Sequence, residues 1–236
     1  MIGVTGASGH LGSVLMEMLP DAEPIGRTMP DRKMDALIHA AAPSFRDTDA
    51  VLDFRSFNAE VKTYVDKYQP ETVIVTGSWW QHAIGECRNF MYTLLKDEQK
   101  RIFDQAVHIL PYSIYGEQAR QGRGFIPQLI LAARGDITLA GLSEQPRDFI
   151  HVTDVALAHI RALDAKPGTY TAGTQFVISP MDLAELFGIG GSALDDHPHA
   201  EPQYLADPVP GWEPLMNVVD YLRFVFNPWG WGVHPI

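Results

Sequence analysis

The sequence is poor in cysteine, in positive charge and in long apolar runs, and each shortage excludes something. Its single cysteine, Cys87, can form neither an internal disulfide nor a cysteine-based zinc site. Only 18 Lys and Arg stand against 29 Asp and Glu, a formal net charge of −11. A surface that acidic repels phosphate backbones and anionic headgroups, which argues against nucleic acid or a membrane surface as partner. No apolar run approaches the roughly 20 residues that span a bilayer. The strand-like opening Met1-Ile2-Gly3-Val4 lacks a basic stretch ahead of an apolar one, so no secretion signal is expected. These absences predict a cytoplasmic protein. Apolar material is ample: 46% hydrophobic and 20% charged residues in a chain of 236 suit one large domain, or one with a small appendage.

Short apolar runs alternate with longer amphipathic stretches through the first two-thirds. Strands are predicted at Ile2-Val4, Glu23-Gly26, Ala36-His39, Thr72-Thr76 and Val107-Leu110, with helical spacing over Leu11-Leu19, Phe54-Lys67 and Phe90-Phe103. Such alternation implies an α/β fold, a Rossmann-like doubly wound parallel sheet with helices on both faces. After Gly116 the texture changes. Phe125-Arg134, Val155-Leu163, Met181-Leu186 and Val218-Phe226 read as helices, while Gly188 to Pro214 has little pattern. The expected division is a dinucleotide-binding core over 1–116 and a small, loop-rich substrate lobe over 117–236, some of whose segments return to the core. The apolar, non-periodic tail Asn227-Ile236 is expected to pack against the body or a partner subunit.

Residues 5–12 read Thr-Gly-Ala-Ser-Gly-His-Leu-Gly, between an apolar strand and a helix. That is the context a dinucleotide fingerprint needs. Gly6 permits the tight turn, Gly9 lets the backbone approach a pyrophosphate, and Gly12 lets the helix lie close. Gly6, Ser8, Gly9, His10, Leu11 and Gly12 are therefore the expected phosphate cradle, with unpaired helix N–H groups facing the anion. Cofactor choice is set at the end of the second strand, where an NAD enzyme usually carries Asp or Glu. Here it ends Ile25-Gly26-Arg27, with Arg32 and Lys33 close behind. A guanidinium suits a 2′-phosphate, so NADP(H) is expected over NAD(H).

Thr72-Val-Ile-Val-Thr-Gly-Ser78 is a buried-strand pattern ending in small polar residues, and Tyr92 and Lys96 follow at i, i+4 on one helix face. Free tyrosine, with a pKa near ~10, is a poor base at neutral pH. A neighbouring ammonium would lower that value, so Tyr92 could exchange a carbinol proton while hydride moves. Ser78, at the carboxyl edge of the sheet, could hydrogen-bond the same oxygen.

With these motifs in place, the chain resembles the extended short-chain dehydrogenase/reductases, the NAD(P)-dependent epimerase/dehydratase group. The opening loop is similar to that group's Thr-Gly-x-x-Gly-x-x-Gly. Asp35-Ala-Leu-Ile-His-Ala-Ala-Ala42 resembles its fourth strand, whose small residues, here Ala40 and Ala41, border the cofactor. Asn58 falls where the group carries a helix asparagine, and Pro111-Tyr-Ser-Ile-Tyr-Gly116 resembles the segment after its sixth strand, placing Pro111 at the cofactor. Most specific is Gln145-Pro-Arg-Asp-Phe-Ile-His-Val-Thr-Asp154, similar to a signature whose arginine, here Arg147, contacts a substrate phosphate in nucleotide-sugar members. Gly211-Trp-Glu-Pro214 resembles the motif before the closing helix. The resemblance also implies a homodimer paired through the helices of Asn58 and Tyr92, where Phe90, Met91, Leu94 and Leu95 supply apolar surface.

Departures accompany the likeness. Too few residues separate Arg27 from Asp35 for the usual helix and third strand; since that strand is an edge, its deletion breaks no interior ladder but thins the adenine pocket. Ser78-Trp79-Trp80 lacks the Asp-Glu pair of 4,6-dehydratases. Leu110 and Ser113 stand where relatives often carry Arg and Asn, which weakens the substrate class more than cofactor use. Ser113, Arg147 and Trp79 are the expected substrate contacts, with Trp80 beside Trp79 and at least one of the two indoles expected to pack inside. Asp195-Asp-His-Pro-His199 reads as a solvated acidic turn, and no metal is expected. Cys87 and His82 are weaker acid/base candidates, and Thr153 and Asp154 read as helix caps. The implied activity is an NADP(H)-linked oxidoreductase or epimerase acting on a nucleotide-linked sugar or a related small carbonyl. The alternative is a catalytically silent redox sensor that keeps the cofactor fold.

Overall fold

The computed structural model of the chain describes residues 1–42, 48–82, 90–116, 124–193, 204 and 206–226. The first half runs β1 (Ile2–Thr5), α1 (His10–Met18), β2 (Glu23–Ile25), β3 (Ala36–His39), α2 (Thr48–Tyr68), β4 (Thr72–Thr76), α3 (Phe90–Ile102) and β5 (Val107–Pro111). A short helical turn, Trp79–His82, follows β4. The second half contributes β6 (Ser113–Tyr115), α4 (Phe125–Ala133), β7 (Leu139–Leu142), β8 (Arg147–His151), α5 (Val152–Arg161), β9 (Gly168–Ala172), β10 (Val177–Ile178), α6 (Pro180–Leu186), β11 (Gly191–Ala193) and α7 (Val218–Phe226).

The main sheet has the order β2-β1-β3-β4-β5-β9 and is parallel throughout. Alternate side chains go to opposite faces. Ile38 and Ile74 join Val4 and Ile109 in the apolar layer under α1 and α5, while Leu37 and Val75 meet Val61, Tyr64 and Phe103 from the α2 and α3 side. Burial on both faces explains why β3 and β4 read as unbroken apolar runs.

β2 is the edge of this sheet, as the missing third strand predicts. An edge is also the place where Pro24 removes no needed ladder bond. The connection after β2 is held by one face of α2: Met29 N–H donates to Glu60 Oε1 (2.8 Å), Tyr64 Oη donates to the Arg32 carbonyl (2.9 Å), and Met34 N–H donates to Tyr64 Oη (2.9 Å). Lys67 and Tyr68, one turn further on, both bond Asp31. Met34 fills the volume over Gly3, where a Cβ would lie 2.1 Å from its sulfur.

A second sheet, β10-β8-β6, and the β11-β7 pair build the smaller lobe around Tyr115, Ile126, Leu129, Phe149, Leu183 and Leu222. Two of its segments return to the main body: β9 pairs with β5, and α5 packs on α1. The expected caps of α5 need correction. His151 Nδ1, not Thr153 or Asp154, accepts the N–H of Thr153. Asp154 instead receives the N–H groups of Leu215 and Met216, and its carbonyl takes the Trp212 indole N–H, tying down the Gly-Trp-Glu-Pro segment. Cys87, the side chain of His82, Asp195–His199 and the tail from Asn227 lie outside the described residues.

Candidate functional site

The parallel order reverses between β1 and β3, and a cleft of about 730 Å³ opens there. Crevices at such switch points are the usual ligand sites of doubly wound sheets. Gly6, at φ +69°, presses against the backbone of Ala41, and a Cβ on Gly6 would stand 2.8 Å from Ala41 Cα. A Cβ on Gly12 would lie 2.0 Å from the Gly6 carbonyl oxygen, so α1 can sit this close only with glycine there. Gly9 N–H donates back to the Gly6 carbonyl (2.8 Å). No side chain caps the N-terminus of α1, leaving its first N–H groups to an anion. The cradle and the cleft volume suit a dinucleotide. Ser8 and Ala41 line the cleft, Leu11 is buried in the core, Ala40 packs against the core's edge, and Pro111 ends β5. The side chain of His10 turns toward His151 of the smaller lobe, and burial followed by that second imidazole lowers its pKa.

Ser78 and Tyr92 meet at the carboxyl end of β4. The Ser78 side chain hydrogen-bonds the Tyr92 phenol, which favours phenolate, but burial is the larger effect and raises the Tyr92 pKa. Gln81 holds the two elements together: Ser78 N–H donates to Gln81 Oε1 (2.8 Å), and Gln81 Nε2 donates to the Lys96 carbonyl (2.9 Å).

Lys96 departs from expectation. It shares the helix face of Tyr92, yet its flexible stem carries Nζ inward to the Thr76 carbonyl (2.7 Å) and Gln99 Oε1 (3.0 Å). It is 1% exposed and forms no ion pair among the described residues. Desolvation brings its pKa down to about 7. The expected pull of an ammonium on the Tyr92 phenol is therefore absent from this arrangement, because the amine is engaged elsewhere.

From Lys96 a buried polar chain runs back to the glycine loop. Gln99 Nε2 donates to Asn58 Oδ1 (3.2 Å), so His39 brings Nε2–H to the same oxygen (2.8 Å) and accepts from Thr5 Oγ1 at Nδ1 (2.6 Å). On the other side His159 Nδ1–H donates to the Val155 carbonyl (2.8 Å), leaving Nε2 to accept from Thr76 Oγ1 (2.8 Å). Burial, with the Lys96 charge adding to it, holds both imidazoles neutral with pKa values of about 4. Sequence reading missed Gln81, Gln99, His39 and His159. The Lys96-to-Gln99 spacing was a usable signal; the strand histidines carried none.

The remaining expected residues are more dispersed. Trp79 is 3% exposed, stacked between Trp80 (ring centroids 4.3 Å apart) and Tyr112 (5.5 Å), so packing claims the face expected to meet substrate. Trp80 is partly accessible. Arg147 begins β8, half-buried, its pKa lowered by desolvation, and it forms no ion pair among the described residues. Ser113 begins the neighbouring β6, in register with Phe149. Arg27 stands beside Asp53, with Nη1 to Oδ2 at 3.3 Å. The described residues hold no group of three metal-capable side chains and no helix long and apolar enough to cross a membrane.

Sheet order and glycine cradle together define a Rossmann-like fold. Within it, residues 86–173 match the model of the NAD dependent epimerase/dehydratase family. The chain is also similar to solved structures. The Bordetella bronchiseptica enzyme WbmG, in complex with NAD and UDP, is 15% identical at a TM-score of 0.74, over 93% of this chain and 91% of that one. A UDP-glucuronic acid 4-epimerase variant from Bacillus cereus, with NAD and UDP-4-deoxy-4-fluoro-glucuronic acid, is 17% identical at 0.76, over 93% and 95%. The UDP-glucose 4-epimerase of Thermus thermophilus, with NAD, is 17% identical at 0.72, over 94% and 96%. At these identities the likeness shows the fold. No curated protein sequence matches the chain.

Proposed function

We propose that the protein is a nicotinamide-dinucleotide-dependent epimerase or oxidoreductase acting on a nucleotide-linked sugar. The observation that carries this reading is the Ser78–Tyr92 hydrogen bond at the end of β4, on the sheet edge that also bears the glycine cradle. A bound nicotinamide supplies hydride acceptance and return. The chain's part is to hold the reacting carbinol oxygen with Ser78 and to take or give its proton at the Tyr92 hydroxyl. Lys96 serves by leaving the Thr76 carbonyl for the cofactor ribose. Arg147, half-buried and without a carboxylate partner among the described residues, is the candidate for a substrate phosphate, with Ser113 close by and Trp80 in place of Trp79 offering an aromatic face. UDP in the WbmG complex supports that substrate class.

The test is Tyr92→Phe, assayed with reduced and oxidised dinucleotides and a panel of UDP-sugars. Turnover falls by roughly 10²–10⁴-fold while cofactor affinity holds. Unchanged turnover would remove Tyr92 from the chemistry. A second reading, a cofactor-binding sensor without turnover, draws on the inward position of Lys96. It predicts dinucleotide binding with no product from any sugar in the panel. We also propose a homodimer through α2 and α3, supported by exposed Leu52, Phe90 and Met91 on those helices. Leu95 faces inward instead. Sedimentation at micromolar concentration should give twice the chain mass, and a monomer would dismiss the pairing.

A further inference from the structure

The ribose end of the cleft carries a carboxylate that the end of β2 does not supply. Asp53, on α2, places Oδ2 3.3 Å from Arg27 Nη1, and both residues line the cleft that Gly6 and Ser8 line. Their side chains are 90% (Arg27) and 62% (Asp53) exposed, so both are within reach of a ligand. Glu60, two turns along the same face of α2, lines the cleft as well. Arg32 and Lys33, the other cations expected to favour a 2′-phosphate, do not: Arg32 is paired with Glu23, and Lys33 stands near Asp35. Among the described residues, the charges lining this end are thus one guanidinium and two carboxylates.

We propose that Asp53 selects the cofactor, accepting the adenosine ribose hydroxyls so that NAD(H) is taken in preference to NADP(H), with Arg27 holding Asp53 in place. The inference rests on reading the cleft as a dinucleotide site. A ribose diol brings two donors and no charge, and the two oxygens of Asp53 accept them while the pair with Arg27 stays intact. A 2′-phosphate brings a charge of about −1.5 to −2. It must part Arg27 from Asp53 and then stand beside Asp53 and Glu60, and like charges so placed are costly. The sequence-based expectation of NADP(H) took Arg27 as a free cation; tertiary structure supplies its counter-ion.

The deciding experiment titrates the purified chain with NADH and NADPH, read by nicotinamide fluorescence and calorimetry, in wild type, Asp53→Asn and Arg27→Ala. Wild type should bind NADH about tenfold or more tighter than NADPH. Asp53→Asn, whose exposed site leaves the fold intact by circular dichroism, should weaken NADH and shift the ratio about tenfold toward NADPH, because Arg27 is released. Arg27→Ala should weaken NADPH further and leave NADH within about threefold. A wild type that prefers NADPH, or an Asp53→Asn ratio within about twofold of wild type, overturns the proposal while leaving the dinucleotide reading standing. Binding of neither cofactor overturns both.

Discussion

The two ends of the cleft proposed for a dinucleotide are built on different forces. At the phosphate end the constraint is steric: a Cβ on Gly6 or Gly12 would strike backbone at 2.8 Å or 2.0 Å. At the ribose end it is charge, carried by the exposed side chains of Arg27 and Asp53, which are 26 residues apart in sequence. Steric contact, local for Gly12 against Gly6 and tertiary for Gly6 against Ala41, cannot be screened, and the need for glycine is written in the residue type itself. A charge pair needs its partner brought from another element, and water weakens it. The first end was therefore visible in the spacing of three glycines, whereas at the second the sequence around Arg27 could not show its counter-ion.

Acidification should expose the support beneath the steric end, where Thr5 is tied through His39 and Asn58 toward Lys96. His39 and His159 have folded pKa values of about 4 against an ordinary 6.5. The unfolded chain therefore binds more protons between those values, and stability is lost as pH falls from about 6.5 toward 4. The full loss is on the order of 3 kcal/mol for each histidine, reached once pH is below both values. Lys96 acts in the same sense at higher pH: with a folded pKa of about 7 against 10.5, it makes stability rise with pH across that interval. Urea unfolding from pH 9 to 4.5 checks both windows, and a flat profile would mean that the buried chain accepts protons freely.

Gly12→Ala strikes the steric end directly. Since the obstacle is the Gly6 backbone and not a movable side chain, α1 must shift. Unfolding free energy should drop by about 2 kcal/mol or more, and dinucleotide affinity should fall beyond easy detection. Wild-type affinity in this variant would show that the cradle can be rebuilt around a methyl group. Arg27→Ala makes the complementary test and has the smallest effect on folding. An exposed pair contributes little to stability, so its urea midpoint should match wild type even as dinucleotide choice changes. A clear loss of stability would mean that the ribose end also has a structural task.

Much of the main sheet was legible because burial on both faces leaves an unbroken apolar signature. Ala36–His39 and Thr72–Thr76 are strands over the predicted residues, and Val218–Phe226 is a helix over its predicted residues. β9 was missed because Gly168-Thr-Tyr-Thr-Ala172 has no such signature; it becomes a strand by pairing with β5, a partner some sixty residues earlier in the chain. At the site, the i, i+4 relation of Tyr92 and Lys96 was readable, as was the approach of Ser78. The path of the Lys96 side chain was not, since four methylenes allow its amine several destinations and only packing chooses among them.

By itself, then, the sequence determined the features ruled by local sterics and periodicity: the glycine cradle, the alternation of strand and helix, and the loss of an edge strand after β2. Tertiary structure decided which polar groups meet. It sent Lys96 to Thr76 and Gln99, buried Trp79 between Trp80 and Tyr112, gave His151 the cap of α5 and set Asp53 against Arg27. The reason is physical: a backbone turn is constrained by atoms a few residues away, whereas a polar side chain takes the best partner that the finished fold places within reach.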